Sequence, residues 1–408
     1  MTRFSSLRVR NYRLYWFGQV VSQLGSWLSL TAVSWLVLAE LDAGPAAVGW
    51  VTAAQFLPTL LLGSYAGVLA DRSNKRRLLI WTQGALLIIG ALMAALVASG
   101  AIELWMVMVL QGARGVATAF DNPARQSFVG EMVGPELIPN AVALNSAGFN
   151  SMRVIGPAVA GILIAAVGTE LCFALNAASF AATIGALLAI RGAELHPQPA
   201  VVRAKGQIRE GFTYAMHEPV LRAALLTMAV VGTVSMNFTV LVPLLARNTF
   251  GTDASTFGLL STAMGAGSLL GSLRAAGITE PSLVRQAKAS LALGVSMLAA
   301  AASPTLPLAM VALACAGASV QTFTTTTNSV LQLGSLPHMR GRVLSFYLIL
   351  FIGTSPFGSP IVGAIAEGSN TRVAFVYGAA GALVGSLIAF RRRAAKPRAD
   401  TATPLVVR

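Results

Sequence analysis

The sequence predicts an all-α membrane protein in which twelve transmembrane helices form two pseudo-symmetric six-helix bundles. Hydrophobic residues make up 55% of the 408-residue chain and charged residues only 11%, whereas soluble domains are about 25% charged. A helix that crosses a bilayer needs about 20 mostly apolar residues, and the chain divides into runs of that length separated by short polar stretches. One longer polar, basic stretch lies at the midpoint and separates six runs from six.

The apolar runs define the spans in chain order. We place the first six at 12–38, 48–70, 78–98, 104–120, 141–167 and 171–190. We place the last six at 221–246, 256–273, 287–302, 306–327, 343–366 and 373–390. The fourth span is predicted to end before Asn122 and Pro123, because proline disfavours helix at the residue that precedes it. A cytoplasmic turn is then expected at 131–140.

These spans predict four segments of the chain. They are an N-terminal six-helix bundle at 1–191, a cytoplasmic linker at 192–220, a C-terminal six-helix bundle at 221–393 and a cytoplasmic tail at 394–408. An interfacial helix is expected within the linker near 208–217. The glycine-rich run 156–161 of helix 5 has a counterpart at 358–363 of helix 11, which favours two parallel repeats.

The net charge of +14 is a signal of orientation rather than of nucleic-acid binding. In the predicted topology only Arg247 and Arg372 lie outside, and nearly all other Lys and Arg residues lie on the inner face or in the tails. Basic residues favour the cytoplasmic side of a membrane protein, whereas a nucleic-acid footprint would be a basic patch on a soluble surface. Both termini are therefore predicted to be cytoplasmic, and no nucleic-acid partner is expected.

A charged turn between helices 2 and 3 carries the most specific motif. It has the form G-x-x-x-D-R-x-x-[RK]-[RK], with these members: Gly67, Asp71, Arg72, Lys75 and Arg76. The motif resembles the loop between helices 2 and 3 of the major facilitator superfamily. The opening of helix 1 (7–19) and the Arg-x-x-Gly-Pro pattern at 153–157 resemble the branch that contains the enterobactin exporter and macrolide-efflux-type proteins.

The resemblance implies a conformational gate and a coupling site. The five motif residues would form the gate, with Asp71 contacting the inner end of helix 11 near Arg340 and Arg342. The pattern around Arg114 resembles the helix 4 motif of antiporters, whose arginine is implicated in proton coupling. No carboxylate lies at mid-membrane in the predicted spans, so Asp121 is the candidate that would take up and release the proton, with Arg114 moving between Asp121 and the substrate. The alternatives are an arginine that pins helix 4 to a neighbour, and a solvated helix-end aspartate paired with Arg125.

The resemblance also places helices 1, 4, 7 and 10 around a central cavity. The polar residues expected to bind substrate are Gln19, Gln23, Gln111, Arg153, Thr233, Asn237, Gln321, Thr325 and Asn328. Arg153 has an alternative role as a cap for backbone opened by Pro157. Neutral polar groups with aromatic neighbours suit a hydrophobic or amphipathic small molecule of the drug or siderophore type.

The predicted function is export of such a molecule across the inner membrane by alternating access, in exchange for protons. The alternatives are a facilitator or importer, and a non-transporting sensor or assembly factor on the same fold. The sequence contains no nucleotide-binding loop, catalytic set or metal-ligand cluster. An enzyme, a cofactor and a metal site are therefore not expected, and the chain is predicted to act as a monomer in the lipid bilayer.

Overall fold

The computed structural model describes residues 4–196, 207–276 and 281–392. These residues are almost entirely helical, and no strand occurs among them. The predicted tail at 394–408 and the linker residues 197–206 lie outside the described residues. A helix is present at Gln207–His217, where the interfacial helix is expected, and its position at the membrane surface stays a prediction.

The helices follow the predicted apolar runs in order. Those before the linker are α1 (Arg10–Trp35), α2 (Gly44–Arg72), α3 (Lys75–Ala98), α4 (Leu104–Val133), α5 (Ile138–Val167) and α6 (Thr169–Leu188). The linker helix is α7 (Gln207–His217). Those after it are α8 (Pro219–Val230), α9 (Phe238–Leu244), α10 (Ala254–Ala276), α11 (Leu283–Ala302), α12 (Leu306–Gly334), α13 (Arg340–Ile352), α14 (Ser355–Gly368) and α15 (Thr371–Arg391). Single π-helical turns extend α1, α8 and α9, at Leu36–Glu40, Val231–Ser235 and Leu245–Thr249.

Ten helical segments of the described residues are long and apolar enough to cross a membrane. The helices α4 and α11 are outside this set, although both exceed 18 residues. Charged side chains lower their mean hydropathy, namely Arg114 and Asp121 in α4 and Arg285 and Lys288 in α11.

The predicted end of helix 4 at residue 120 is wrong, because α4 continues through Pro123 to Val133. The predicted turn at 131–140 therefore begins inside a helix. Phe128 and Met132, in the last turns of α4, are buried in one apolar cluster with Tyr12 of α1. The Ser127 hydroxyl donates to the carbonyl oxygen of Pro123 at 2.8 Å. Burial of this apolar face outweighs the local preference of proline for a helix end.

Predicted helices 7 and 11 are each broken rather than continuous. The first is interrupted between Ser235 and Phe238 and the second between α13 and α14. At the first break the Asn237 side-chain amide donates to the Thr233 carbonyl at 2.7 Å, and its Oδ1 accepts from the Ser359 hydroxyl at 3.1 Å. Side chains of a neighbouring helix can satisfy backbone groups freed by a break within a membrane.

Helix packing follows a simple set of pairs. Before the linker α1 packs on α5 and α6, α3 on α4 and α6, and α2 on α4. After it α10 packs on α12, α11 on α12 and α15, and α8 on α15. Two large contacts join the first set to the second, between α2 and α14 and between α5 and α10.

Glycines allow close approach at both of these joining contacts, which we call the glycine seams. A Cβ on Gly161 of α5 would lie 2.7 Å from the Cα of Gly258 of α10, and one on Gly363 of α14 would lie 2.7 Å from the carbonyl oxygen of Pro45 of α2. Such distances leave no space for a larger side chain. Small residues at interfaces let membrane helices pack backbone to backbone.

Candidate functional site

Arg114 is a buried cation with only neutral partners. Its residue is 9% exposed, and its guanidinium donates to the Ser29 hydroxyl at 3.1 Å and to the Ser26 carbonyl oxygen at 3.5 Å, both on α1. No carboxylate of the described residues lies within ion-pair distance of it. The alternative that Arg114 pins α4 to a neighbour is compatible with these bonds, but they use only part of the five donors of a guanidinium.

Arg153 extends from the middle of α5 to the other set of helices. Its guanidinium donates to the Gln321 side-chain oxygen of α12 at 3.4 Å. The Gln321 amide in turn donates to the Thr325 hydroxyl at 3.4 Å. Both distances exceed the usual 2.9–3.0 Å of such bonds, so three of the predicted substrate residues form one loosely held group.

Three of the glutamines that are predicted to bind substrate carry buried side-chain atoms with no hydrogen-bond partner in the structure. They are both polar atoms of Gln19 and the Oε1 atoms of Gln23 and Gln111. Gln111 lies one helical turn from Arg114, so both project from the same side of α4. Buried polar groups are normally hydrogen-bonded, and these amides are consequently available to a ligand.

The other predicted substrate residues are engaged within the protein. The Thr233 hydroxyl donates to the Ala229 carbonyl at 2.7 Å. Asn237 is only 1% exposed and bridges α8 to Ser359 as described above. The Asn328 oxygen accepts from the Gln332 amide at 2.6 Å. No bond of the described residues joins these three to the Arg153 group.

Asp121 is buried and accepts hydrogen bonds from three side chains. Its Oδ1 accepts from the Thr82 hydroxyl and the Gln83 amide of α3, each at 2.8 Å. Its Oδ2 accepts from both Nε and Nη2 of Arg125. With a residue exposure of 1%, it is not the solvated aspartate of the alternative interpretation. The Thr118 hydroxyl donates to the Arg114 carbonyl oxygen at 2.8 Å, so it does not connect Arg114 to Asp121.

The predicted gate residues lie at the junction of α2 and α3. The Lys75 ammonium forms an ion pair of 2.7 Å with Glu131, and both side chains are about nine-tenths buried. Arg76 donates to the carbonyl oxygens of Leu187 and Leu188 at the end of α6, at 2.8 and 2.9 Å. These bonds hold the start of α3 to α4 and α6.

The remaining gate residues belong to the end of α2 itself. Gly67, Asp71 and Arg72 lie in its last turns, and Asp71 is partly buried. Arg342, one of its two predicted partners, forms an ion pair of 2.6 Å with Glu210 of α7. The contact predicted between Asp71 and helix 11 remains a prediction.

Polar contacts at the predicted outer end connect the two sets of helices. Arg247 forms an ion pair of 2.9 Å with Asp42. The Glu367 carboxylate accepts from the backbone N–H of Ala46, in the first turn of α2, at 2.9 Å. A carboxylate is favourable at a helix N-terminus, which carries partial positive charge. Trp35 also stacks on Phe257 across this contact, with ring centroids 6.0 Å apart.

Comparison with known proteins places these features in a family. The family model described as transmembrane secretion effector, of the major facilitator superfamily, matches residues 1–405. This chain belongs to that family. Its members are transporters and not enzymes, and the chain is a multi-pass membrane protein that carries a small molecule.

Individual relatives of this chain include an efflux pump. The chain is 27% identical to the multidrug efflux pump Tap of Mycolicibacterium fortuitum, over 88% of its own length and 90% of the pump. It is 30% identical to the uncharacterised transporter YfiS of Bacillus subtilis, but over only about half of either chain, 52% and 51%. A bacterial homologue of the human lysosomal transporter Spinster, in an inward-facing and occupied conformation, shares the fold with a TM-score of 0.75 at 14% identity, over 97% and 98% of the two chains.

Sequence reasoning missed two groups of charges in this chain. Glu131 was missed because the predicted helix 4 ended too early and left it in a turn. With α4 continued to Val133, Glu131 becomes the acid available to pair with a basic residue of the charged turn, such as Lys75. The contacts of Asp42 and Glu367 link parts of the chain separated by 205 and 321 positions. The only signal for them was the presence of acids and a lone Arg247 in loops predicted to lie on the same side.

Proposed function

We propose that this transporter exports a hydrophobic or amphipathic small molecule by alternating access between two six-helix bundles. In this proposal twelve spans cross the inner membrane, because α4 and α11 are added to the ten apolar segments, and the broken helices each count once. The bundles correspond to 1–191 and 221–393, joined by the linker at 192–220, with both termini cytoplasmic. The helix pairs support this division, since only the two seams join the sets strongly.

The observation that carries the proposal is the distribution of contacts between the sets. One ion pair, a capped helix end and closely packed glycines all lie toward the predicted outer end. Arg114 and Arg153 lie deeper, well inside their helices. This arrangement, closed at the outer end with buried polar groups at mid-depth, is that of an outward-closed state. In alternating access such a state precedes the release of substrate to the outside.

Cross-linking at the outer end tests alternating access. In a C172A/C315A background, D42C/R247C would be joined by a short bis-methanethiosulfonate reagent across the two sets. We expect this bond to stop transport, and reduction to restore it. The matched control is E40C/T169C, because Glu40 accepts a 2.9 Å bond from Thr169 within one set and a bond there leaves the sets free to move. Full transport by the cross-linked D42C/R247C variant would contradict the proposal.

Direction is tested with dyes in oriented vesicles. Inside-out vesicles should accumulate a fluorescent amphiphile, either sulforhodamine B or rhodamine 6G, when energised. Accumulation only in right-side-out vesicles would instead identify an importer. The sequence similarity to the pump Tap supports export, and the absence of movement of both dyes in both orientations would favour a sensor or assembly role.

The proposal includes proton antiport with Asp121 as the proton carrier. Asp121 supports this because it is a buried carboxylate whose Oδ2 is held by Arg125. A proton would enter only when Arg125 withdraws from it. Dye addition to energised inside-out vesicles should release protons from the lumen, and Asp121→Asn should abolish that release. The control is Glu103→Gln, whose acid lies at the outer end and bonds Trp105. Proton release that persists in Asp121→Asn would remove Asp121 from the coupling path.

A further inference from the structure

We infer that Arg114 and Arg153 form a binding site for the anionic group of the transported molecule, a carboxylate or sulfonate on an amphipathic body. The inference rests on the proposed function and specifies its substrate class. It differs from the sequence expectation, which described a neutral polar cavity.

Burying the two arginine cations without a counter-charge costs free energy. An isolated charge is strongly disfavoured in an apolar interior unless it is paired. Ionisable groups inside membrane helices are rare for the same reason and usually mark a substrate or ion path. Arg114 and Arg153 have only hydroxyl, carbonyl and amide partners among the described residues, at 3.1 to 3.5 Å. Neither guanidinium is neutralised by an acid of the described residues.

Among the described residues, the helices around the two arginines supply no acidic residue to pair with them. The helices α1, α5 and α12, which surround these contacts, contain no Asp or Glu. In α4, Asp121 is taken by Arg125 and Glu131 by Lys75. No described acid of these four helices is therefore free to compensate Arg114 or Arg153. The charge in this region is positive, so it favours an anion and opposes a cation.

The N–H groups of the two guanidinium ions have a geometry that suits an anion. Arginine presents a planar set of N–H groups that matches the two oxygens of a carboxylate or sulfonate. Arg153 holds Gln321 only loosely, so it can exchange that bond for a stronger one to an anion.

An apolar surface lies beside Arg153. Trp27 of α1 lies against Phe149, with ring centroids 5.9 Å apart. A Cβ on Gly156, one turn from Arg153, would collide with the side chain of Trp27. Aromatic surface therefore adjoins Arg153, and an amphipathic molecule can place its apolar body there while its anionic group reaches the guanidinium.

Two dyes with the same xanthene core and opposite net charge provide the test. Sulforhodamine B is an anion and rhodamine 6G is a cation. We would measure fluorescence anisotropy of each dye with the purified protein in nanodiscs of neutral phosphatidylcholine. We expect the wild type to bind sulforhodamine B at least about ten-fold more tightly than rhodamine 6G, since losing one charged hydrogen bond changes binding by roughly that factor or more.

Variants separate anion recognition from a structural role of the arginines. Arg114→Gln and Arg153→Gln should each weaken sulforhodamine B about ten-fold or more without weakening rhodamine 6G. The control is Arg372→Gln, at the predicted outer end, where Arg372 donates to the Ser303 carbonyl oxygen; it should leave both affinities unchanged. Arg153→Lys should recover part of the binding, because it restores charge without the planar fork.

Three results would overturn the inference. They are equal or tighter binding of rhodamine 6G by the wild type, no detectable binding of sulforhodamine B, and equal loss of both dyes in the arginine variants. The cross-link between D42C and R247C reports separately on alternating access. A chain that passes that test but prefers the cation keeps its proposed function and loses this substrate class.

Discussion

Two charged sites on the same helix differ in how the protein satisfies them. Asp121 and Arg114 are seven positions apart on α4, which is about 10 Å along the axis, and both are buried. Asp121 accepts four hydrogen bonds, two of them from an oppositely charged group. Arg114 contacts only a hydroxyl and a carbonyl oxygen of α1.

The difference shows that burial of a charge does not by itself reveal its role. Asp121 faces α3, whose side chains complete its hydrogen bonds, so in this conformation its charge also holds α3 against α4. Arg114 faces serines of α1, so most of its hydrogen-bond donors remain available to a ligand that binds and dissociates. A satisfied charge should therefore matter most to stability, and an unsatisfied one to binding.

The largest effect is expected from breaking the satisfied site. Asp121→Asn leaves the Arg125 charge without its partner and should lower the free energy of unfolding by about 3 kcal/mol, as for other broken buried pairs. Unfolding by denaturant in detergent micelles would measure it. The double variant Asp121→Asn/Arg125→Gln should recover a clear part of the loss, because no unpaired charge remains. A single variant as stable as the wild type would contradict the structural role.

The next effect concerns the second buried pair, Lys75 and Glu131, at the predicted inner end. Lys75→Met leaves Glu131 unpaired in a site that is about nine-tenths buried, and we expect a loss of roughly 2 kcal/mol. The charge-swapped variant Lys75→Glu/Glu131→Lys keeps one charge of each sign and should be more stable than either single change. If the swap is the least stable of the three, the pair is not held by charge.

A smaller effect on stability is expected at the unsatisfied site. Arg114→Gln removes an uncompensated charge together with two weak bonds, so the free energy of unfolding should change by no more than about 1 kcal/mol in either direction. The same unfolding measurement as for Asp121→Asn gives a direct comparison of two positions on one helix. A loss as large as that of Asp121→Asn would end the distinction between the two sites.

The smallest effect is expected at the outer end. Asp42 is exposed, with 85% side-chain accessibility in its pair with Arg247, and exposed ion pairs contribute about 0–1 kcal/mol. Asp42→Asn should therefore leave unfolding almost unchanged while it shifts the balance away from the outward-closed state. Thiol labelling of a cysteine at Gln321 from each side of oriented vesicles would detect that shift. A large loss of stability would show that this pair is structural.

Much of this architecture follows from residue types in sequence order. The helical runs, the short helix at 207–217 and the charged turn between α2 and α3 could all be predicted, because apolarity and charge belong to each residue. Arg114 and Asp121 were identified as unusual for the same reason. Pro123 shows the limit, since its local preference predicted a helix end that the burial of Phe128 overrides.

By itself the sequence determined that this chain is a helical membrane transporter and which of its helices contain charge. The tertiary structure decided which of those charges are satisfied. Asp121 meets Thr82 and Gln83 across 39 and 38 positions, and Lys75 meets Glu131 across 56. Such pairings depend on which faces of separate helices meet. Similarly, helix 7 is broken where the Asn237 side chain bonds to Ser359 of another helix, a contact that local sequence does not encode.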